Sequence, residues 1–216
     1  MTRTSCVRLL GACLIAWTTG ALLHAQEPIV GRPCEGCEAV FEGLPSSLTA
    51  TTRLAPASER GDAMTLTGRV LGADGRPRAG VVVYAYQTNT AGVYPPSSLR
   101  TGAAARHGAL RGWALSGSDG RYTFETIRPG TYPARDAPAH IHMHVIERGC
   151  ATYYIDDVMF TDDPLLTPDA RLRFSNGRAG SGIVAPARQG TAWTVTRDIA
   201  LGRGVPGYPA CGAGTR

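Results

Sequence analysis

Three histidines alternate in "PAHIHMHV" (residues 138–145), in a chain of 216 residues that has five in all. On a β-strand every second side chain points to the same face, so His140, His142 and His144 form a row with neighbours about 6.6 Å apart. Two imidazoles at that spacing can converge on one metal ion at about 2.1 Å from each nitrogen. His140 and His142 therefore read as a pair of adjacent ligands. His144, one step further along, reads as a supporting or structural residue. The plainer alternative is a strand whose histidines happen to alternate.

The identity of the metal depends on the remaining ligands. A cupin-type site would add Glu147, five residues after His142, but Glu147 has the opposite strand parity and no histidine follows His144. A two-histidine, one-carboxylate Fe(II) site would draw on Asp156 or Asp157. Tyrosines offer a different set. Tyr94 in "NTAGVYPP" and Tyr132 in "RPGTYPARD" both sit in Pro/Gly loops. Either alone would be a surface ring or a packing cap, but ionised phenols are hard anionic donors suited to a hard ion.

The elements that must position these residues are short strands. Gly (27) and Pro (15) fall between short apolar runs, and 43% of residues are hydrophobic against 18% charged, enough to bury a core. "MTLTGRVL" and "VVVYAYQTN" flank a turn at Asp74-Gly75 and read as a hairpin. "GWALSGSDGRYTFETI" repeats the device around Asp119-Gly120. "AHIHMHVIE" and "TYYIDDVMF" are joined at Gly149-Cys150, Thr167-Pro168 caps a short helix, and "WTVTRDIAL" is a last strand. Another short helix is expected around Cys37 to Glu42. The class expected is all-β: an antiparallel β-sandwich with long loops and little helix.

Arg3, Arg8 and the apolar run Leu9–Leu23 read as a secretory signal cleaved after Ala25. "LGAC" (Leu10–Cys13) is a lipoprotein alternative. The apolar run is too short and broken for a membrane span. The organisation expected is a signal peptide over 1–25, an N-terminal arm over 26–60 and the sandwich over 61–210, in an exported protein of the periplasm or the extracellular space. All 22 basic side chains are arginines, and the formal net charge is +5 before Arg3 and Arg8 are removed. That is too mild a bias for a nucleic-acid surface. Cys34, Cys37, Cys150 and Cys211 remain after cleavage, an even number that favours disulfides whose pairing the sequence leaves open.

Taken in order, four blocks between Gly68 and Pro164 resemble the intradiol ring-cleavage dioxygenases, the family of protocatechuate 3,4-dioxygenase and catechol 1,2-dioxygenase. They are "GRVLGADGRPRAGVVVYAYQTNTAGVYP", "LRGWALSGSDGRYTFETIRPGTYP", "PAHIHMHV" and "YYIDDVMFTDDP". The resemblance implies a mononuclear Fe(III) held by Tyr94, Tyr132, His140 and His142, with Tyr132 the phenolate that leaves the metal when substrate binds. It implies a small aromatic diol and O₂ as substrates, cleavage between the two hydroxylated carbons and a cis,cis-muconate-type product. It leaves oligomeric state open, a homodimer included. Two phenolates and a hydroxide balance the charge of a trivalent ion, and the ion in turn forces the phenols to ionise below their usual pKa of about 10.

The chain departs from the family pattern at Ala137, where well-known members have an arginine three residues before the first histidine. Arg135 is the expected substitute, steadying negative charge that develops during catalysis. The segment from Tyr132 to His140 is also shorter. "GRVLGADGRPRAGVVVYA" further resembles the prealbumin-like sandwich modules of exported proteins, so an exported binding module without catalysis is the competing function. The basic stretch "RTGAAARHGALR" (residues 101–111 with Arg100) reads as a solvated loop, or as one near the substrate entrance that attracts an anionic ring.

Overall fold

The computed structural model describes residues 27–31, 36–98 and 103–211. The expected signal peptide, Cys34 and part of the basic stretch lie outside the described residues. Eleven strands build two sheets that face one another. The first sheet has the order β1 (Thr51–Arg53), β5 (Arg121–Ile127), β2 (Ala63–Leu71), β10 (Ala192–Thr196), β9 (Ala187–Gln189), with β11 (Ile199–Ala200) also on β2. The second runs β4 (Arg111–Leu115), β3 (Val82–Gln87), β6 (His140–Glu147), β7 (Ala151–Phe160), β8 (Ile183–Val184). The fold is a β-sandwich with one α-helix, α1 (Pro168–Phe174), whose first-turn N–H, from Ala170, is accepted by the Thr167 hydroxyl as the Thr-Pro pair predicts.

The pairs β2·β5, β3·β4, β3·β6, β6·β7 and β9·β10 are antiparallel. The pairs β1·β5, β10·β2, β11·β2 and β7·β8 are parallel, which the sequence reading did not anticipate. Neither expected DG hairpin forms: β2 and β3 lie in opposite sheets, as do β4 and β5. The reason lies in the burial patterns. β2 alternates, with Met64, Leu66 and Val70 inward, and needs cover on one face. β3 is buried at all six positions and needs cover on both. Each turn therefore carries the chain across the sandwich.

The second sheet consequently has two apolar faces. Val83 and Ala85 of β3 and Ile141, Met143 and Val145 of β6 pack inward on Leu66, Phe124 and Ile155. Burying each large apolar side chain contributes about 1.5–3 kcal/mol. Val82, Tyr84 and Tyr86 face outward, where a 3₁₀ turn at Cys37–Phe41 covers them with Val40, and Trp113 Nε1 donates to Val40 O at 2.7 Å. The expected short helix is this turn. Residues 27–31 and 36–60 contact the rest of the fold: β1 pairs with β5, and Val30 N donates to Thr152 O at 2.9 Å.

At the far end of β6, Glu147 accepts from the hydroxyls of Tyr153 (2.6 Å) and Tyr208 (3.2 Å), which accounts for it structurally and ends the cupin alternative. A Cys150–Cys211 disulfide, with Cα atoms 5.7 Å apart, ties the C-terminal segment to the β6–β7 turn. It closes a loop of 61 residues in the unfolded chain. Replacing both cysteines with serine should lower unfolding free energy by about 2–4 kcal/mol, measured by urea denaturation of the folded protein.

Candidate metal centre

Tyr94 and Tyr132 lie in different loops, after β3 and after β5, and backbone contact brings them together. Gly130 N donates to Asn89 O at 2.9 Å, and the Thr88 hydroxyl donates to Gly130 O at 2.9 Å. Asn89 Oδ1 accepts from Ala91 N and Val93 N, shaping the loop that ends at Tyr94. Gly92 has φ +74°, and a Cβ there would lie 1.7 Å from Thr131 O; at Gly130 it would lie 2.2 Å from Thr90 O. Only glycine permits this crossing. The two phenol oxygens end 2.5 Å apart.

The histidines come from β6 on the outward face of the second sheet. Their tautomers follow from their partners. His140 Nδ1 lies 2.7 Å from Pro138 O, which can only accept, so Nδ1 carries the hydrogen. His142 Nδ1 lies 3.0 Å from Asp157 Oδ1 and likewise donates. Both Nε2 atoms are left with outward lone pairs, 3.1 Å from each other. Tyr132 Oη is 3.1 Å from His140 Nε2 and 3.3 Å from His142 Nε2; Tyr94 Oη is 2.9 Å from His142 Nε2. Donors at about 2.0–2.1 Å from one ion stand roughly 3 Å apart, so the spacing is that of a single coordination sphere.

His140, His142 and Asp157 also lie within one 4.8 Å cluster of metal-ligating groups. The Asp157 carboxylate, however, holds the far nitrogen of His142, so it orients a ligand rather than serving as one. Asp156 accepts from the backbone N–H groups of residues 176–178 and is structural. The two-histidine, one-carboxylate reading is thereby replaced. A bulge separates the two acids. The β6·β7 register shifts between Ile141 and Met143, so that two residues of β7 stand opposite His142. Without the extra residue Asp157 would continue the inward row of Tyr153 and Ile155; with it, Asp157 turns to the histidine face.

Burial, and then its hydrogen bond with Tyr132, pushes the Tyr94 phenol well above its ordinary pKa. Burial also lowers His140, which stays neutral and free to bind. For Asp157, burial alone would raise the pKa, but electrostatic attraction and the hydrogen bond from His142, with the other histidines of the row, outweigh it and keep the carboxyl below its ordinary value. Tyr94 thus ionises only beside a cation, which is what a trivalent ion supplies. The donor chemistry fits ferric iron.

Around this cluster lies a cavity of about 490 Å³ lined in part by Tyr86, Tyr94, Tyr132, His142, His144 and Tyr154. Tyr86 stacks on His142 (ring centroids 4.4 Å apart) and on His107 (3.7 Å). His144, the third of the row, is buried in this wall. Burial holds both His107 and His144 neutral, each lowered to about 3. Tyr86 faces His142 directly across the β3·β6 pair, a relation that sequence spacing alone could not reveal. Arg135 is not brought to the cluster: it is exposed, in a left-handed turn at φ 52°, and lines a separate depression with Asp136, Asp169 and Arg173. The arginine that does line the cavity is Arg106, from the basic stretch.

A sandwich carrying two phenols and two lone-pair imidazoles around one point is what a mononuclear non-haem metal centre requires. A family model described as "Dioxygenase" matches residues 40–188, and the chain belongs to that family, the intradiol ring-cleavage dioxygenases. It is 32% identical over 127 residues to hydroxyquinol 1,2-dioxygenase of Rhizobium sp. (strain MTP-10005), covering 51% of this chain and 42% of the relative. It is 32% identical over 115 residues to the protocatechuate 3,4-dioxygenase beta chain of Burkholderia cepacia, covering 50% and 49%. The chain therefore spans about half the length of these relatives. The solved dioxygenase domain of a dioxygenase carbohydrate-binding protein fusion from Streptomyces sp. SirexAA-E superposes with TM-score 0.55 at 25% identity, over 81% of this chain and 98% of that one. Hydroxyquinol 1,2-dioxygenase from Pseudomonas putida DLL-E4 shares the fold, with TM-score 0.57 at 23% identity, over 81% and 65%. Members of the family use Fe(III).

Two substitutions probe the geometry. Gly92→Ala should destabilise the fold by about 1–3 kcal/mol and lower iron content, measured by thermal unfolding and metal analysis on one sample. Asp157→Asn should weaken iron binding about 10- to 100-fold in competition with a chelator. Unchanged affinity would remove Asp157 from its orienting role.

Proposed function

We propose that the chain cleaves a catechol-type diol with O₂ between its two hydroxylated carbons, both oxygen atoms entering a cis,cis-muconate-type product. The observation that carries this is the gathering of four donors from three chain segments, with both imidazole lone pairs turned to one point. A prealbumin-like binding module has no reason to assemble that set.

Tyr94, Tyr132, His140 and His142 would hold the ferric ion. When bound, it supplies a Lewis-acid centre that takes the diol through its oxygens and makes the ring reactive to O₂. Tyr132 Oη is the site that receives a diol proton, as the family resemblance implies. Tyr94 and the two histidines remain as fixed donors. Asp157 and Pro138 O keep both imidazoles in the ligating tautomer, and Tyr86 holds the His142 ring against tilting. The ring-lined cavity orients the diol and limits water. The Cys150–Cys211 disulfide supports an exported protein, since disulfides persist in oxidising compartments. No helix among the described residues is long and apolar enough to cross a membrane.

The iron-loaded protein should absorb in the visible through tyrosinate-to-iron charge transfer, and Tyr94→Phe or Tyr132→Phe should bleach or shift the band. An oxygen electrode should record one O₂ consumed per ring cleaved for at least one catechol of a panel. A colourless iron-loaded protein, or no uptake with any member, would overturn the assignment.

A further inference from the structure

The metal donors occupy one part of the cavity. At about 490 Å³ it falls in the range that takes drug-sized ligands. Its walls beyond the donors are aromatic: Tyr154, His107 and His144, with Tyr86 between His107 and the donor His142 and Gly36 closing the side next to His107. Gly36 has φ +69°, and a Cβ there would meet His107 Nε2 at 2.8 Å, so the wall is closed by backbone and admits no larger residue. Ring-lined walls pack against aryl ligands by stacking or edge-to-face contact.

Charge is distributed unevenly around this space. Among the described residues Asp157 is the one acid in the lining, and it is committed to His142 Nδ1. Arg106 is the one arginine among the described residues of the lining. Its guanidinium is exposed and makes no hydrogen bond or ion pair with the described residues. Cations that serve structure here are engaged: Arg111 donates to Glu42 O and lies over Trp113, and Arg197 donates to the carbonyls of Ala179, Arg178 and Gly180. Arg106 has no such task. An arginine at the rim of a ring-lined cavity can take a carboxylate by two parallel N–H donations.

We propose that the natural substrate is a catechol carrying an extended side chain that ends in a carboxylate, with Arg106 determining that preference. The inference rests on the reading of the donor cluster as the diol-binding end of the cavity, and Arg106 recognises the opposite end of the molecule.

Anaerobic calorimetry on the full-length protein as purified tests this without depending on colour or turnover. The probes are 3-(3,4-dihydroxyphenyl)propanoate and its methyl ester, which share the diol and differ in charge. The acid should bind about fivefold more tightly than the ester at low ionic strength, the size expected of a rim ion pair. That ratio should shrink with added salt, fall to about one in Arg106→Gln and be largely kept in Arg106→Lys. Equal affinity for acid and ester in the unaltered protein, no binding of either, or a preference that survives Arg106→Gln would each overturn the proposal. Loss of the iron assignment would show separately, in the absorption and oxygen-uptake measurements.

Discussion

Two imidazole nitrogens face each other 3.1 Å apart with a lone pair on each. Their other nitrogens are held by Pro138 O and Asp157. Two like-ended dipoles at that separation repel; the hydroxyls of Tyr132, 3.1 Å from His140 Nε2, and Tyr94, 2.9 Å from His142 Nε2, can donate to them, and a metal ion shared by all four donors relieves the repulsion more strongly. Burial works against an added proton, because it holds His140 below its ordinary pKa. It also works against ionisation of Tyr94 in the absence of a cation. The protein thus makes an added proton a poor solution and leaves a compact, highly charged cation as the better one.

The sandwich supplies this constraint through three devices of different range. The β3·β6 register sets Tyr86 against His142 and Tyr84 against His144, so the histidine face meets rings rather than water. The irregularity opposite His142 turns one acid of the Asp156-Asp157 pair to the ligand and leaves the other to hold the 176–178 segment. The glycine crossing at Gly92 and Gly130 joins two loops that belong to different sheets, and with them the two phenols. Each device positions a donor or its support.

What the sequence disclosed follows the same division by range. The alternation of His140, His142 and His144, the Thr167-Pro168 cap and the turn at Cys37–Phe41 are local, and they stand in the structure as read. Tyr94 and Tyr132 were legible only through their resemblance to family blocks, because a tyrosine in a Pro/Gly loop carries no sign of its partner. The two DG turns misled: a turn of that chemistry reports a change of direction, not which sheet receives the next strand. The continuous burial of "VVVYAYQ" was the signal that could have placed β3 at a sheet's centre. Asp157 was visible as a carboxylate but not as a hydrogen-bond acceptor, since its facing depends on a bulge. Arg135 sits close to the histidines in sequence, yet its left-handed turn sends it to another depression.

A metal site on the outer face of a sheet faces a problem that a core site does not, because that face ordinarily meets solvent. The chain spans about half the length of the relatives it matches, and it covers the face with its own N-terminal segment. Val40 is fully buried against Tyr84 and Trp113, and Cys37 Sγ lies 3.8 Å from His144 Nδ1. Cys37 is itself disulfide-bonded, which stiffens the turn that carries it. From the other side His107, hydrogen-bonded to Tyr84 at 2.8 Å, closes against Tyr86. Apolar burial and one hydrogen-bonded histidine lower the local dielectric on this face. The segment that looks in sequence like a polar lead-in to the domain covers the outer face of the sheet beside the donor cluster.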